Sequence, residues 1–153
     1  MNCAGSPVQV AVIGPSTATD AENMAAEEIG GILAEGGAIL ISGGLGGVME
    51  ASCRGAKKKG GFTVGILPNT GSGNSYLTVR VRTGISHARN ILVVESADAV
   101  IAVGGAYGTL SEIAIALKTG KPVFGYMSWE IEGVEPCTTP AEAAIRALAA
   151  ARR

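Results

Sequence analysis

The sequence has 153 residues, 47% of them apolar, 16% charged and 4% aromatic, with 23 glycines. This is the composition of one folded domain with an aliphatic core, and it excludes a disordered chain. A net charge of −1 excludes the basic footprint of a nucleic-acid binder, and no stretch is apolar for long enough to span a membrane.

Residues 1–7 (MNCAGSP) lack the basic and apolar runs of a secretory signal and are expected to be a flexible leader on a cytoplasmic protein. Val8 to Ile13 is a β-branched run that stops at Gly14-Pro15, so it reads as a strand. Thr19 and Glu22 have capping-box spacing, and Ala25, Ile29, Ile32 and Leu33 follow on one helical face up to Gly36-Gly37. Ala38 to Ser42 reads as the second strand, Gly43 to Gly47 as a flexible turn, and a helix is expected from about Val48 to the Lys57–Lys59 run. Those lysines complement the dipole at a solvated helix end.

Phe62 to Leu67 is the third strand, Asn69 to Ser75 a loop that could act as a flap, and Tyr76 to Arg82 a half-exposed strand. Gly84 to Asp98 is ambiguous. A helix is chosen because two parallel strands need a crossover between them. Asp98 to Val103 is a buried strand, Gly104 to Gly108 a second glycine-rich turn, and Leu110 to Lys118 a helix. Lys121 to Tyr126 reads as the last strand, and Thr139, Pro140 and Glu142 open a terminal helix with a second capping box. The alternation implies an α/β fold: a three-layer, Rossmann-like open sheet, mostly parallel, with helices on both faces, in a single domain over 8–153.

In such a sheet, ligands sit beyond the carboxyl ends of the strands. Both glycine-rich turns lie there, and each leads into a helix whose first N–H groups are unpaired and partly positive. The expected phosphate cradle is therefore Gly43, Gly44, Gly46, Gly47, Val48 and Met49 in the first turn. The second turn supplies Gly105, Ala106, Tyr107, Gly108 and Thr109, and the loop after the first strand adds Gly14 and Ser16. The bland reading of these glycines is close packing of helix on sheet.

Arg80, Arg82 and Arg89 are too few for nucleic acid but could hold one anion. Neither turn contains the G-x-x-x-x-G-K-[ST] of a phosphate loop, which argues against ATP hydrolysis. Met49 stands where a dinucleotide fingerprint needs its third glycine. Cys3, Cys53 and Cys137 have no metal-ligand spacing and read as reduced thiols. His87 has no such partner and is expected to be a structural or surface residue, so no metal is expected.

The second turn, Gly104-Gly105-Ala106-Tyr107-Gly108-Thr109-Leu110-Ser111-Glu112, resembles the P-G-G-x-G-T-x-x-E signature of the LOG phosphoribohydrolases and the lysine-decarboxylase-like proteins. The first turn resembles that superfamily's other glycine-rich motif, and Arg89 stands where the group has its arginine. Thr83-Gly84, Ala88-Arg89-Asn90 and Ser96-Ala97-Asp98-Ala99 are similar to the short branch that contains the molybdenum-cofactor carrier protein. The sequence departs from the hydrolases at Gly104 (proline there), at Ala106 (their second glycine) and at Asn90 (a lysine there).

The resemblance implies a protein that binds a phosphorylated, nucleotide-like ligand, either a nucleotide or a molybdopterin-type cofactor, as a carrier. No cofactor is required beyond such cargo, and the protein is expected to be a homodimer or larger homo-oligomer. The alternative it implies is a phosphoribohydrolase that cleaves nucleoside 5′-monophosphates, with Arg89 and Glu112 as the working pair. Thr109 and Glu112 also have capping-box spacing, which would give Glu112 a purely structural use. The helix over 84–97 is the expected contact between subunits.

Overall fold

The computed structural model describes residues 5–153; the first four residues of the expected leader lie outside the described residues. Seven strands form one sheet in the order β4-β3-β2-β1-β5-β6-β7, and every neighbouring pair is parallel. The strands are β1 (Gln9–Ile13), β2 (Ile39–Ser42), β3 (Phe62–Leu67), β4 (Val79–Arg82), β5 (Ala99–Val103), β6 (Val123–Tyr126) and β7 (Val134–Pro136). The helices between them are α1 (Asp20–Glu35), α2 (Val48–Lys58), α3 (Arg89–Glu95), α4 (Tyr107–Lys118) and α5 (Pro140–Ala151).

Strand periodicity divides the core. Val10 and Val12 of β1 join Ile101 and Val103 of β5 against α1, α2 and α5. Ala11 and Ile13 join Val100 and Ala102 against α3 and α4. A strand buried on both faces has no polar side to show, which is why β1 and β5 read as unbroken apolar runs. The chain steps outward from β1 to β4 and then returns to place β5 beside β1. That reversal opens a crevice beyond the carboxyl ends of β1 and β5.

Several boundaries differ from the sequence reading, each for a local reason. β4 begins at Val79 rather than Tyr76. Just before it, Thr63 and Thr78 exchange backbone-to-hydroxyl hydrogen bonds at 3.1 and 2.9 Å, beside a single backbone bond from the Thr78 N–H to the Thr63 carbonyl at 2.9 Å. The helix expected from Gly84 is a 3-10 turn, Ser86–Ala88, followed by only seven residues of α3. Ser86 sits at φ +56°, a left-handed conformation that an α-helix cannot include.

β6 is not the last strand. The short β7 pairs with it from Val123↔Val134 to Gly125↔Pro136. Three residues ending in proline carry too little pattern to announce a strand, and proline is tolerated on this edge. The Thr19–Glu22 capping box forms in full. At α5, Thr139 caps the Glu142 N–H at 3.0 Å, but the Glu142 carboxylate turns to the N–H and hydroxyl of Thr138 instead.

Candidate functional site

α4 starts at Tyr107, three residues before the expected Leu110, with Ala106 as its cap. Alanine offers no side-chain acceptor, so the first N–H groups of α4 stay unpaired at an exposed surface. Thr109 consequently lies inside the first turn of the helix and cannot cap it. The Thr109–Glu112 capping box is therefore not formed. The Thr109 hydroxyl, on a residue only 2% exposed, has no hydrogen-bond partner. Gly104 permits this early start. It sits at φ +65°, and a Cβ there would fall 1.8 Å from the Glu22 carboxylate.

Facing the α4 terminus is a cavity of about 250 Å³. Gly14 and Ser16 reach it from the β1 loop, Met49 from α2, and Ala106, Gly108, Thr109 and Glu112 from the start of α4. Arg89 and Asn90 enter from α3. The fold thus gathers eight of the expected residues, Arg89 included, around one space. Gly43, Gly44, Gly46, Gly47, Val48, Gly105 and Tyr107 do not line it.

Most of these have visible packing duties. Gly47, at φ +61°, lets α2 begin against the β1 loop, where a Cβ would stand 2.2 Å from the Pro15 carbonyl oxygen. The Val48 N–H donates to that same carbonyl at 3.1 Å, so the first donor of α2 is already taken. The Val48 side chain is fully buried. Gly105 lies under the Trp129 indole, while Tyr107 is 85% exposed. The two turns do not leave adjacent strands either, because β1 runs between β2 and β5.

Arg89 is 7% exposed. One guanidinium nitrogen donates to the Asn90 side-chain oxygen, and the other reaches the Gly43 carbonyl at 3.5 Å, while Nε has no partner. Asn90 continues the chain through its amide to Ser111 Oγ at 3.2 Å, and Ser111 donates to the Gly108 carbonyl at 2.7 Å. This network ties the arginine to the first turn of α4. Sequence reasoning saw Asn90 as a missing lysine and as part of the stretch similar to the carrier branch, not as a hydrogen-bond bridge.

Glu112, also 7% exposed, forms no ion pair with Arg89. Burial pushes its carboxyl up to about 7, with the positive charge of Arg89 opposing the shift. The same burial lowers the Arg89 pKa, and the Glu112 charge opposes that. An acid poised near neutrality beside a buried cation is the usual signature of a functional site.

His87 is exposed, on the 3-10 turn, and borders this cavity. Arg80 and Arg82 do not join Arg89. Arg80 Nε donates to the Ser72 carbonyl at 2.6 Å and Arg82 Nε to that of Gly71 at 3.1 Å. They pin the 69–75 loop, and Asn74 fastens it to the first turn through the Gly44 and Leu45 carbonyls at 2.9 and 3.0 Å. No helix among the described residues is long and apolar enough to cross a membrane.

The model of the SLOG cluster4 family matches residues 7–149. The chain belongs to that family. An uncharacterized protein of Archaeoglobus fulgidus is 49% identical over 138 residues, covering 89% of this chain and 91% of its own. Among solved structures, the molybdenum cofactor binding protein of Rippkaea orientalis superimposes with a TM-score of 0.86 at 34% identity, covering 90% of this chain and 93% of that one. The molybdenum cofactor carrier protein of Chlamydomonas reinhardtii gives a TM-score of 0.87 at 30% identity, with 95% and 99% covered. The Rossmann-like fold, expected from the alternation of strands and helices, and the likeness to the carrier branch, expected from the motifs, are thereby shown.

Proposed function

We propose that this SLOG cluster4 protein is a carrier that binds a phosphorylated, nucleotide-like ligand, with molybdenum cofactor as the leading candidate. The observation that carries the reading is the trio of unsatisfied groups around one cavity: the uncapped α4 N-terminus, the orphaned Thr109 hydroxyl and the partnerless Nε of buried Arg89. All three are donors, and a phosphate supplies acceptors to each. A buried polar group left unpaired costs about 1–3 kcal/mol, so a fold that keeps two such groups beside an exposed helix N-terminus gains when a ligand satisfies them. The similarity to two molybdenum cofactor binders favours that cofactor as cargo. The test is thermal shift and calorimetry with molybdenum cofactor, nucleoside 5′-monophosphates and inorganic phosphate. Saturable binding of a phosphorylated compound supports the reading, and no binding of any refutes it.

A second reading is hydrolysis of a nucleoside 5′-monophosphate to base and ribose 5-phosphate. It is favoured by a single observation, the Glu112 carboxyl held near 7, where it can exchange a proton. Base release that vanishes in Glu112→Gln while binding persists would establish it. Self-association belongs with either reading. Ile85, Ile91 and Leu92 are 40–49% exposed along α3 and the segment before it. Light scattering over a concentration series is expected to show a dimer or larger species, and a monomer throughout would refute it.

A further inference from the structure

A second cavity, of about 520 Å³, adjoins the first as the second lobe of the cleft, and Leu45, His87 and Arg89 line both. The two lobes differ in chemistry. The lobe at α4 is lined by buried Arg89 and Glu112 and holds the unpaired helix N–H groups and the orphaned Thr109 hydroxyl. The second is walled by Leu45 and Pro68 and edged by Asn69, Thr70 and Ser86, with no carboxylate and no lysine in its lining.

We infer that the cleft orients its ligand by this division: the phosphate lies at α4, and a flat uncharged heterocycle, the base or pterin ring, lies in the lobe between Leu45 and the Ser86–His87 turn. The inference rests on the phosphate reading above and adds the direction and the ring site. Apolar walls suit the faces of a ring, and a rim of amide and hydroxyl groups suits its polar edge.

Two features keep this lobe open. Ser86 holds its left-handed backbone while its N–H donates to the Pro68 carbonyl at 2.8 Å. Such strain in a non-glycine residue persists only where surrounding structure enforces it, and it clusters at ligand sites. On the other side, the Arg80 and Arg82 bonds hold the 69–75 loop back as a fixed wall. The same two arginines are thereby withdrawn from the anion, which leaves Arg89 as the arginine lining either lobe.

The test compares ribose 5-phosphate with guanosine 5′-monophosphate by calorimetry. Guanine carries the same 2-amino-4-oxopyrimidine ring as a pterin, and ribose 5-phosphate has no ring base at all. In the wild type the nucleotide is expected to bind roughly ten-fold or more tighter than the sugar phosphate. Leu45→Ala should close most of that gap by weakening the nucleotide much more than the sugar phosphate. Thr70→Glu should leave ribose 5-phosphate within about two-fold of wild type, because Thr70 lines the ring lobe and not the lobe at α4. Equal wild-type affinities, or a gap that survives Leu45→Ala, would overturn the ring site. A loss of more than about ten-fold for ribose 5-phosphate in Thr70→Glu would reverse the orientation. Absence of ribose 5-phosphate and nucleotide binding altogether would instead sink the phosphate reading.

Discussion

Replacing Glu112 by Gln removes one titratable group while keeping its size and its place in the cleft. The unfolded chain gives up this proton near 4.5, whereas the folded protein holds it until about 7. Between those values the native state binds more protons than the unfolded one, so stability falls as pH rises. The contribution is fully present below about pH 4.5 and is lost as pH passes through about 7. A difference of roughly 2.5 units at about 1.4 kcal/mol each gives about 3 kcal/mol. Burial dominates because Glu112 is only 7% exposed, so little solvent screening reduces this figure. Urea unfolding of wild type and Glu112→Gln from about pH 4 to about pH 8 measures it. The stability of the variant relative to wild type should rise by about 3 kcal/mol across that range. Parallel curves would refute the assignment of a neutral, buried carboxyl at position 112.

The same titration governs the charge seen by an anion. With Glu112 neutral, Arg89 stands uncompensated, so sulfate, whose own charge is fixed over this range, should bind tighter at pH 6 than at pH 8 in wild type and by a smaller margin in Glu112→Gln, where His87 is the titratable side chain left in the lining. Arg89→Ala should weaken phosphate binding by about 2 kcal/mol, roughly thirty-fold, as measured by calorimetry. An unchanged affinity would remove the arginine from the site. Asn90→Ala should cost about 1–2 kcal/mol in urea unfolding and weaken phosphate binding while Arg89 remains, because the guanidinium loses the partner that fixes it. Gly55→Ala should destabilise by about 2–3 kcal/mol, since a Cβ there falls 1.9 Å from the Glu27 carbonyl oxygen and must push α1 and α2 apart. A melting temperature equal to wild type would show that the two helices do not pack as closely as described.

Much of this fold was legible because its central strands are buried on both sides. β1, β2 and β5 each carry an unbroken apolar run that ends at glycine or serine, and α1 and α5 start at recognisable threonine caps. The misreadings fall where backbone geometry is set by partners distant in sequence. α4 begins early because Gly104 turns the chain in a left-handed conformation, and nothing at Ala106 marks a helix start. β7 is recruited by β6, not by its own three residues. The 3-10 turn at Ser86 is held by the Pro68 carbonyl, 18 positions away.

Site chemistry follows the same division. Arg89, Glu112, Thr109 and Gly108 were visible because one short motif and one conspicuous cation name them. The roles of Arg80, Arg82 and Asn90 were not, since each is decided by which carbonyl or amide the fold brings within reach. Asn90 is the instructive residue. In sequence it is a lost charge beside Arg89; in the structure its two amide groups serve the Arg89 guanidinium and Ser111 at once. A lysine has no acceptor and could not accept from the guanidinium. With asparagine, the site keeps a single buried cation whose orientation is fixed from both sides. One fixed cation opposite an uncapped helix terminus is better suited to holding a phosphate than to carrying a second positive charge through a bond-breaking step. The substitution that departs from the hydrolase pattern therefore favours the carrier reading through its hydrogen bonds as well as through its charge.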